Sequence, residues 1–236
     1  MTATRAPLAS RRASVRRERE REIVAATRLL FDERGLQDAP IEDIARAVGI
    51  NKALIYRHFS SKEELYVLTL TSYLAELAGR LEQVPEEPDA LRRLEQGWRC
   101  YTDFCLEYPA FVDCGLSLMR QPAETLRESI SESVWLRLGV SMAGCLGKLS
   151  YILAAGAREG AFEVQDPDFT ANLLYTQTLG TMQLARIGVG VRAGAGGGAG
   201  RVPEMFAIDP RRVQEACIAD VLASVGATHG AHSPTA

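Results

Sequence analysis

An all-α chain is the fold class that the sequence predicts, on three observations. Apolar residues recur at helical spacing from residue 15 almost to the last residues, two Asp-Pro pairs stand where helices begin, and no convincing run alternates apolar with polar residues as a strand would. The 236 residues are 47% hydrophobic and 24% charged, which is globular usage and excludes a disordered or fibrous chain.

The formal charge of -3 hides an asymmetry. Residues 1–62 carry 11 Arg and 2 Lys against 8 acids, whereas residues 63–236 carry 14 basic and 22 acidic side chains. Arg5, Arg11, Arg12, Arg16 and Arg17 precede the first acid, so residues 1–14 are expected to be a disordered basic arm that suits a polyanion or simply keeps the chain soluble. The first 22 residues hold seven arginines and no apolar stretch of the kind a secretion signal needs. Five cysteines, an odd number without a C-x-x-C pair, point with that to a reducing, cytoplasmic setting. Leu138–Ala157 is long enough to cross a bilayer, but Lys148 at its centre and four glycines make a buried helix the expected reading and no membrane the expected partner.

The elements follow in order. Residues 15–34 read as a helix with Ile23, Thr27, Leu30 and Phe31 on one stripe, stopped by Gly35. After Pro40, the apolar Ile41, Ile44, Ala45 and Val48 fall at i, i+3, i+4 and i+7, and Gly49 ends this second helix. Asn51 caps a third helix in which Ile55 and Phe59 face inward, while Lys52, Ala53, Leu54, Tyr56, Arg57 and His58 face outward. Two short helices joined through one Gly, behind a longer one, have the form of a helix-turn-helix spanning residues 15–62. Its last helix would lie in the major groove of double-stranded DNA, with the helix N-terminus, Lys52 and the Tyr56 hydroxyl set for phosphate oxygens. Ser60-Ser61-Lys62-Glu63-Glu64 provides overlapping capping boxes, so a fourth helix starts at once and holds Lys62 beside the same backbone.

The run Ile44-Ala45-Arg46-Ala47-Val48-Gly49-Ile50-Asn51, then Tyr56-Arg57-His58-Phe59 and Lys62 to Leu65, resembles the tetracycline-repressor (TetR) family pattern I-A-x-x-A-G-V-S-x-x-x-x-Y-x-H-F-x-x-K-x-x-L. Roughly the first quarter of the chain carries it, and the rest matches in outline. The resemblance implies a regulator of transcription, most often a repressor, with DNA contacts at Arg46, Asn51, Lys52, Ala53, Leu54, Tyr56, Arg57, His58 and Lys62, the Tyr and Lys62 on phosphates. Three positions depart from the family pattern. Ala39-Pro40-Ile41 replaces a usual Thr at the start of the second helix, which removes one phosphate contact. Glu42 stands where a basic or polar group is common, and Ala53 replaces a frequent Gly. Glu42 repels phosphate unless it accepts from a cytosine amino group, and the Ala53 methyl can meet a thymine methyl.

Beyond Pro85-Glu86-Glu87-Pro88, helices are expected near residues 61–83, 89–107, 110–119, 124–157, 167–187 and 210–225, about nine in all. Asp166-Pro167 and Asp209-Pro210 each put a capping carboxylate before Pro at the first helical position. Gly156 to Phe162, followed by Asp166-Pro167, resembles a turn in the ligand-binding part of the same family. Residues 188–203 are expected to be a flexible Gly-rich loop, without a phosphate-loop pattern, and residues 227–236 a disordered tail. His229 and His232 in that tail read as incidental, so no metal site is expected.

By the resemblance, residues 63–226 are a helical ligand-binding and dimerisation domain. Trp98, Tyr101, Phe104, Cys105, Met119, Trp135, Met142, Tyr151 and Tyr175 mix aromatic, sulfur and hydroxyl groups, mostly as core but also as a candidate pocket for a largely apolar or aromatic effector. Leu173, Gln177, Gly180 and Leu184 with Val213, Cys217, Asp220 and Ser224 are the candidate surface of a homodimer, whose twofold axis implies a palindromic operator. Two other classes compete. A DNA-binding protein without an effector, architectural or sensing oxidants through Cys100, Cys105 or Cys114, shares every motif above. An enzyme is disfavoured, since His58 lies in the reading helix and no Ser/Cys-His pair is visible. No cofactor is expected.

Overall fold

The computed structural model describes residues 8–36, 39–194 and 202–226, with the backbone alone described for residues 8–13. These residues form ten helices and one two-stranded hairpin. In order they are α1 (Leu8–Arg34), α2 (Ile41–Val48), α3 (Lys52–His58), α4 (Lys62–Glu82), α5 (Ala90–Glu107), α6 (Pro109–Met119), α7 (Ala123–Ser129), α8 (Glu132–Arg158), α9 (Pro167–Ile187), β1 (Val189–Arg192), β2 (Glu204–Ala207) and α10 (Pro210–Ser224). The chain divides into two compact units: residues 1–73 with 113–140, and residues 74–112 with 141–236.

The first unit is built on the predicted stripe. Ile23, Leu30 and Phe31 of α1 are buried together with Ile41, Ile44 and Ala45 of α2, Ile55 of α3, Phe59, and Leu65 and Leu68 of α4. Each fully buried side chain of this size contributes about 2 kcal/mol relative to exposure. Thr27 lies in the same stripe with its hydroxyl donating to the Ile23 carbonyl at 2.7 Å, so the buried oxygen is satisfied. Gly49 closes α2 in the left-handed region at φ 72°, a conformation in which only glycine is free of strain, and thereby sets the turn into α3. The Asn51 side chain accepts from the Leu54 amide at 2.9 Å and fixes the start of α3. α1 begins at Leu8, earlier than the sequence predicts, so seven residues of the expected arm are helical and residues 1–7 lie outside the described residues.

The long helix expected over residues 124–157 is two helices. Ile130 is extended at φ -129° and ψ 158°, and α8 restarts when the Ser131 carbonyl accepts from the Val134 and Trp135 amides. The cause is tertiary. The Ser61 hydroxyl donates to the Ser129 carbonyl at 2.8 Å, and the Ser131 hydroxyl donates to Glu64 at 2.7 Å. The Glu64 carboxylate is buried and also accepts from the Ser60 amide at 2.7 Å and from the Ser60 hydroxyl. The predicted capping boxes form only in part: the Glu64 amide donates to Ser61 Oγ at 3.0 Å, but the Glu64 carboxylate accepts from Ser60, one residue before the cap, and doubles as a tie to the α7–α8 junction.

In the second unit, Trp98, Tyr101, Phe104 and Cys105 of α5 are buried among Phe111, Leu149, Ile152, Leu153, Leu174, Tyr175 and Leu179. α8 is long and apolar enough to cross a membrane by length and composition alone, yet its Cys145, Leu149, Ile152, Leu153 and Ala155 are buried in this core. The two Asp-Pro starts form as expected: Asp166 accepts from the Phe169 amide and Asp209 from the Arg211 amide, each at 2.9 Å. At Gly156 a Cβ would overlap the Phe162 ring, so only glycine lets that buried ring lie across the end of α8. The absence of strands is corrected by the structure. β1 and β2 pair antiparallel from Val189↔Ala207 to Arg192↔Glu204, closed by an Arg192–Glu204 ion pair at 2.8 Å. Residues 195–201, the middle of the expected loop, lie outside the described residues.

Candidate nucleic-acid interface

The side chains that the sequence assigns to DNA gather on α2, α3 and the first turn of α4. Asn51, Lys52, Ala53, Tyr56 and Arg57 are exposed on α3 or at its cap, with Tyr56 44% exposed despite its size. Leu54 is half-buried, and Lys62 is exposed at the start of α4 with its ammonium 4.9 Å from the Tyr66 ring centre. Inward Ile55 and Phe59, both 1% exposed, are what turn these groups out.

Neighbours decide how free each charge is. Lys52 Nζ lies 2.6 Å from Glu42 Oε1, a bond that raises the lysine pKa and lowers that of the glutamate. Asp43 bridges Arg34 at 2.9 Å and Arg46 at 2.8 Å, so Arg46 is held across α2 although its side chain is largely exposed. The first turn of α2 thus carries acids that favour the helix N-terminus and at the same time hold two cations of the surface. His58 departs from the expected outward position. Its side chain is only 14% exposed, and Nδ1 is buried 3.9 Å from Glu20 Oε1 with no hydrogen-bond partner. The last turn of α3 rotates this ring toward α1, since it directly precedes the buried Phe59.

The candidate pocket residues do not assemble as the sequence predicts. Trp98, Tyr101, Phe104, Cys105 and Tyr175 fill the second unit's core: the Tyr101 and Tyr175 rings stack at 5.5 Å, and Phe104 meets Phe111 edge-on at 5.1 Å. Their polar tips are used internally, Trp98 Nε1 donating to Thr178 Oγ1 at 2.9 Å and the Tyr101 hydroxyl to the Tyr175 carbonyl at 3.3 Å. Met119 and Trp135 belong to the first unit, while half-buried Met142 and exposed Tyr151 belong to the second. Burial pushes the Cys105 thiol well above its ordinary range and the Cys114 and Cys145 thiols up to about 12, which works against the thiolate that an oxidation sensor needs.

Of the candidate dimer residues, Gln177, Gly180, Leu184, Asp220 and Ser224 line one open groove between α9 and α10. Leu173 is 45% exposed on α9. Cys217 also lines this groove, though it is buried with its thiol 3.6 Å from Thr178 Oγ1, whereas Val213 is buried and not among the lining residues. Sequence reasoning missed the Glu42–Lys52 pair, for which the Glu at the start of α2 was the only signal. It also missed a cavity of about 230 Å³ inside the first unit, lined from α4, α6 and α7.

Residues 23–68 match the model for bacterial regulatory proteins of the tetR family. In this segment the chain is similar to the tetR family. The match contains α2, α3 and the side chains assigned to DNA from Arg46 to Lys62. The HTH-type transcriptional activator FasR of Mycolicibacterium smegmatis is 32% identical over 90 residues, 38% of this chain and 41% of FasR. The HTH-type transcriptional repressor KstR2 of Rhodococcus jostii is 41% identical over 61 residues, 26% of this chain and 29% of KstR2. The chain thus spans about two fifths or less of the length of these curated relatives. The crystal structure of the TetR family transcriptional regulator PfmR from Thermus thermophilus has the same fold, with a TM-score of 0.57 at 20% identity over 88% of this chain and 98% of that one.

Proposed function

We propose that this chain is a tetR-family, sequence-specific DNA-binding regulator of transcription that works as a homodimer on a palindromic operator and is released, as a repressor, by a small, largely apolar effector. The observation that carries the reading is the exposed face of α3 and its flanks: Lys52, Tyr56, Arg57 and Lys62 stand together outside a firmly packed helix-turn-helix. In this reading Tyr56 and Lys62 hold phosphates and set register, while Ala53 and Arg57 face base edges. Lys52 meets phosphate only by leaving Glu42 or by carrying it along as a neutral pair.

Exposed apolar groups on α9 and the hairpin support the homodimer. Phe169, Leu173, Leu184 and Ile187 of α9 and Val191, Val202 and Met205 in or beside the hairpin are all exposed in the single chain, a concentration that a second copy would cover. Replacement of Leu173 by Glu is expected to shift the protein from dimer to monomer in sedimentation velocity and to weaken operator binding. A dimer that survives this change and Leu184→Glu together would place the interface elsewhere.

The DNA assignment has its own measurement. Lys62→Ala and Tyr56→Phe are expected to weaken binding to all duplexes alike, and Lys62→Ala to lower the salt dependence, log K against log salt, by about one. Unaltered affinity at several salt concentrations would remove Lys62 from the interface.

A further inference from the structure

The open cavity in the first unit is lined by charged, uncharged polar and apolar side chains. Lys62 and Glu63 of α4 stand at it, Leu36, Val67, Leu70 and Leu118 give hydrocarbon walls, and Ser117 and Gln121 of α6 and the turn after it add uncharged polar groups. Its volume of about 230 Å³ lies below the roughly 300–1,000 Å³ of sites for drug-sized ligands, so it admits only a small molecule. Among the described residues neither Lys62 nor Glu63 forms a close ion pair; Lys62 acts on Glu42 only through space, and its ammonium lies 4.9 Å from the Tyr66 ring centre. A cation and an anion from adjacent positions, beside the hydrocarbon walls of Leu36, Val67, Leu70 and Leu118, complement a ligand that carries one charge of each sign on an apolar body.

We infer that this cavity is a regulatory site for a free α-amino acid with an apolar side chain, the carboxylate taken by Lys62, the ammonium by Glu63, and the side chain seated among Leu36, Val67, Leu70 and Leu118. The inference rests on the proposed role of Lys62 in holding DNA phosphate. One ammonium cannot serve the ligand carboxylate and the phosphate fully at once, so amino acid and DNA oppose each other's binding by the same factor. The occupant also props α6 against the first turns of α4, beside the turn that Ser60, Ser61 and Ser131 tie to Glu64.

Calorimetric titration of the full chain with L-leucine and L-phenylalanine tests this, with 4-methylpentanoate and 3-methylbutylamine as counterparts that each lack one charge. The expected result is saturable binding of one amino acid per chain, at least roughly tenfold tighter than either counterpart, and a loss of roughly tenfold or more in Lys62→Met and in Glu63→Gln. Leu118→Trp fills the chamber and is expected to abolish amino-acid binding while DNA affinity remains. Because Leu118 is partly buried, Ser117→Trp repeats the test, with helical circular dichroism as the check on folding. Equal binding of a counterpart, unaltered affinity in these variants, or no saturable binding of either amino acid would overturn the site. Failure of the DNA reading shows separately: the amino acid would bind with the stated residue dependence to a protein that holds no duplex.

Discussion

At the residue scale the Glu42–Lys52 pair governs how much of the basic surface DNA can use. Both groups are exposed, so the 2.6 Å contact is a local hold that water and salt weaken. Its effect on DNA is larger than on folding, because a phosphate must compete with a carboxylate already in place. Glu42→Gln is expected to strengthen non-specific DNA binding and to steepen its salt dependence by up to about one, measured by anisotropy across a salt series. A weaker complex would instead mean that Glu42 accepts from a base. Gly156 gives a residue-scale prediction unconnected with DNA. A methyl there would run into the Phe162 ring, an overlap that costs about 1–3 kcal/mol once the ring moves. Thermal unfolding of Gly156→Ala would register this as a lower midpoint, and an unchanged midpoint would show that the turn after α8 yields freely.

At the element scale, caps explain most of what was legible and tertiary ties explain what was not. Asn51, Asp166 and Asp209 are short polar side chains at helix starts, and each accepts the amide bond that its position in sequence implies. Asn51→Ala is expected to lower stability by about 1 kcal/mol in chemical denaturation and to fray the helix that faces DNA. The break at Ile130 and Ser131 carries no Gly or Pro and could not be read, because it comes from hydroxyl bonds reaching Ser61 and Glu64, more than sixty residues earlier. Loss of the Glu64 carboxylate removes the acceptor of three donors, Ser60 N, Ser60 Oγ and Ser131 Oγ, of which Ser131 keeps a contact with Ser133 Oγ at 3.2 Å. Glu64→Ala is therefore expected to cost about 2–3 kcal/mol, more than a surface glutamate, and denaturation midpoints decide it. The short hairpin escaped for a different reason: strands of only four residues, the second exposed throughout, leave too little alternation for a pattern.

At the scale of the whole molecule, the all-α class and the helix-turn-helix were readable because each depends on contacts close in sequence. Ile44, Gly49, Asn51, Ile55 and Phe59 fix the turn among themselves. The pocket was not readable, because an aromatic residue on a helix has the same signature whether it lines a void or fills it. Trp98, Tyr101 and Tyr175 fill one, and the cavity in the first unit is lined largely by aliphatic and charged side chains. The central claim, that this surface reads a DNA sequence, is tested most directly by selecting bound duplexes from a random library with the purified chain. The account predicts enrichment of one palindromic site, lost when Arg57 and Tyr56 are replaced by alanine. Salt-sensitive binding without any enriched sequence would contradict it.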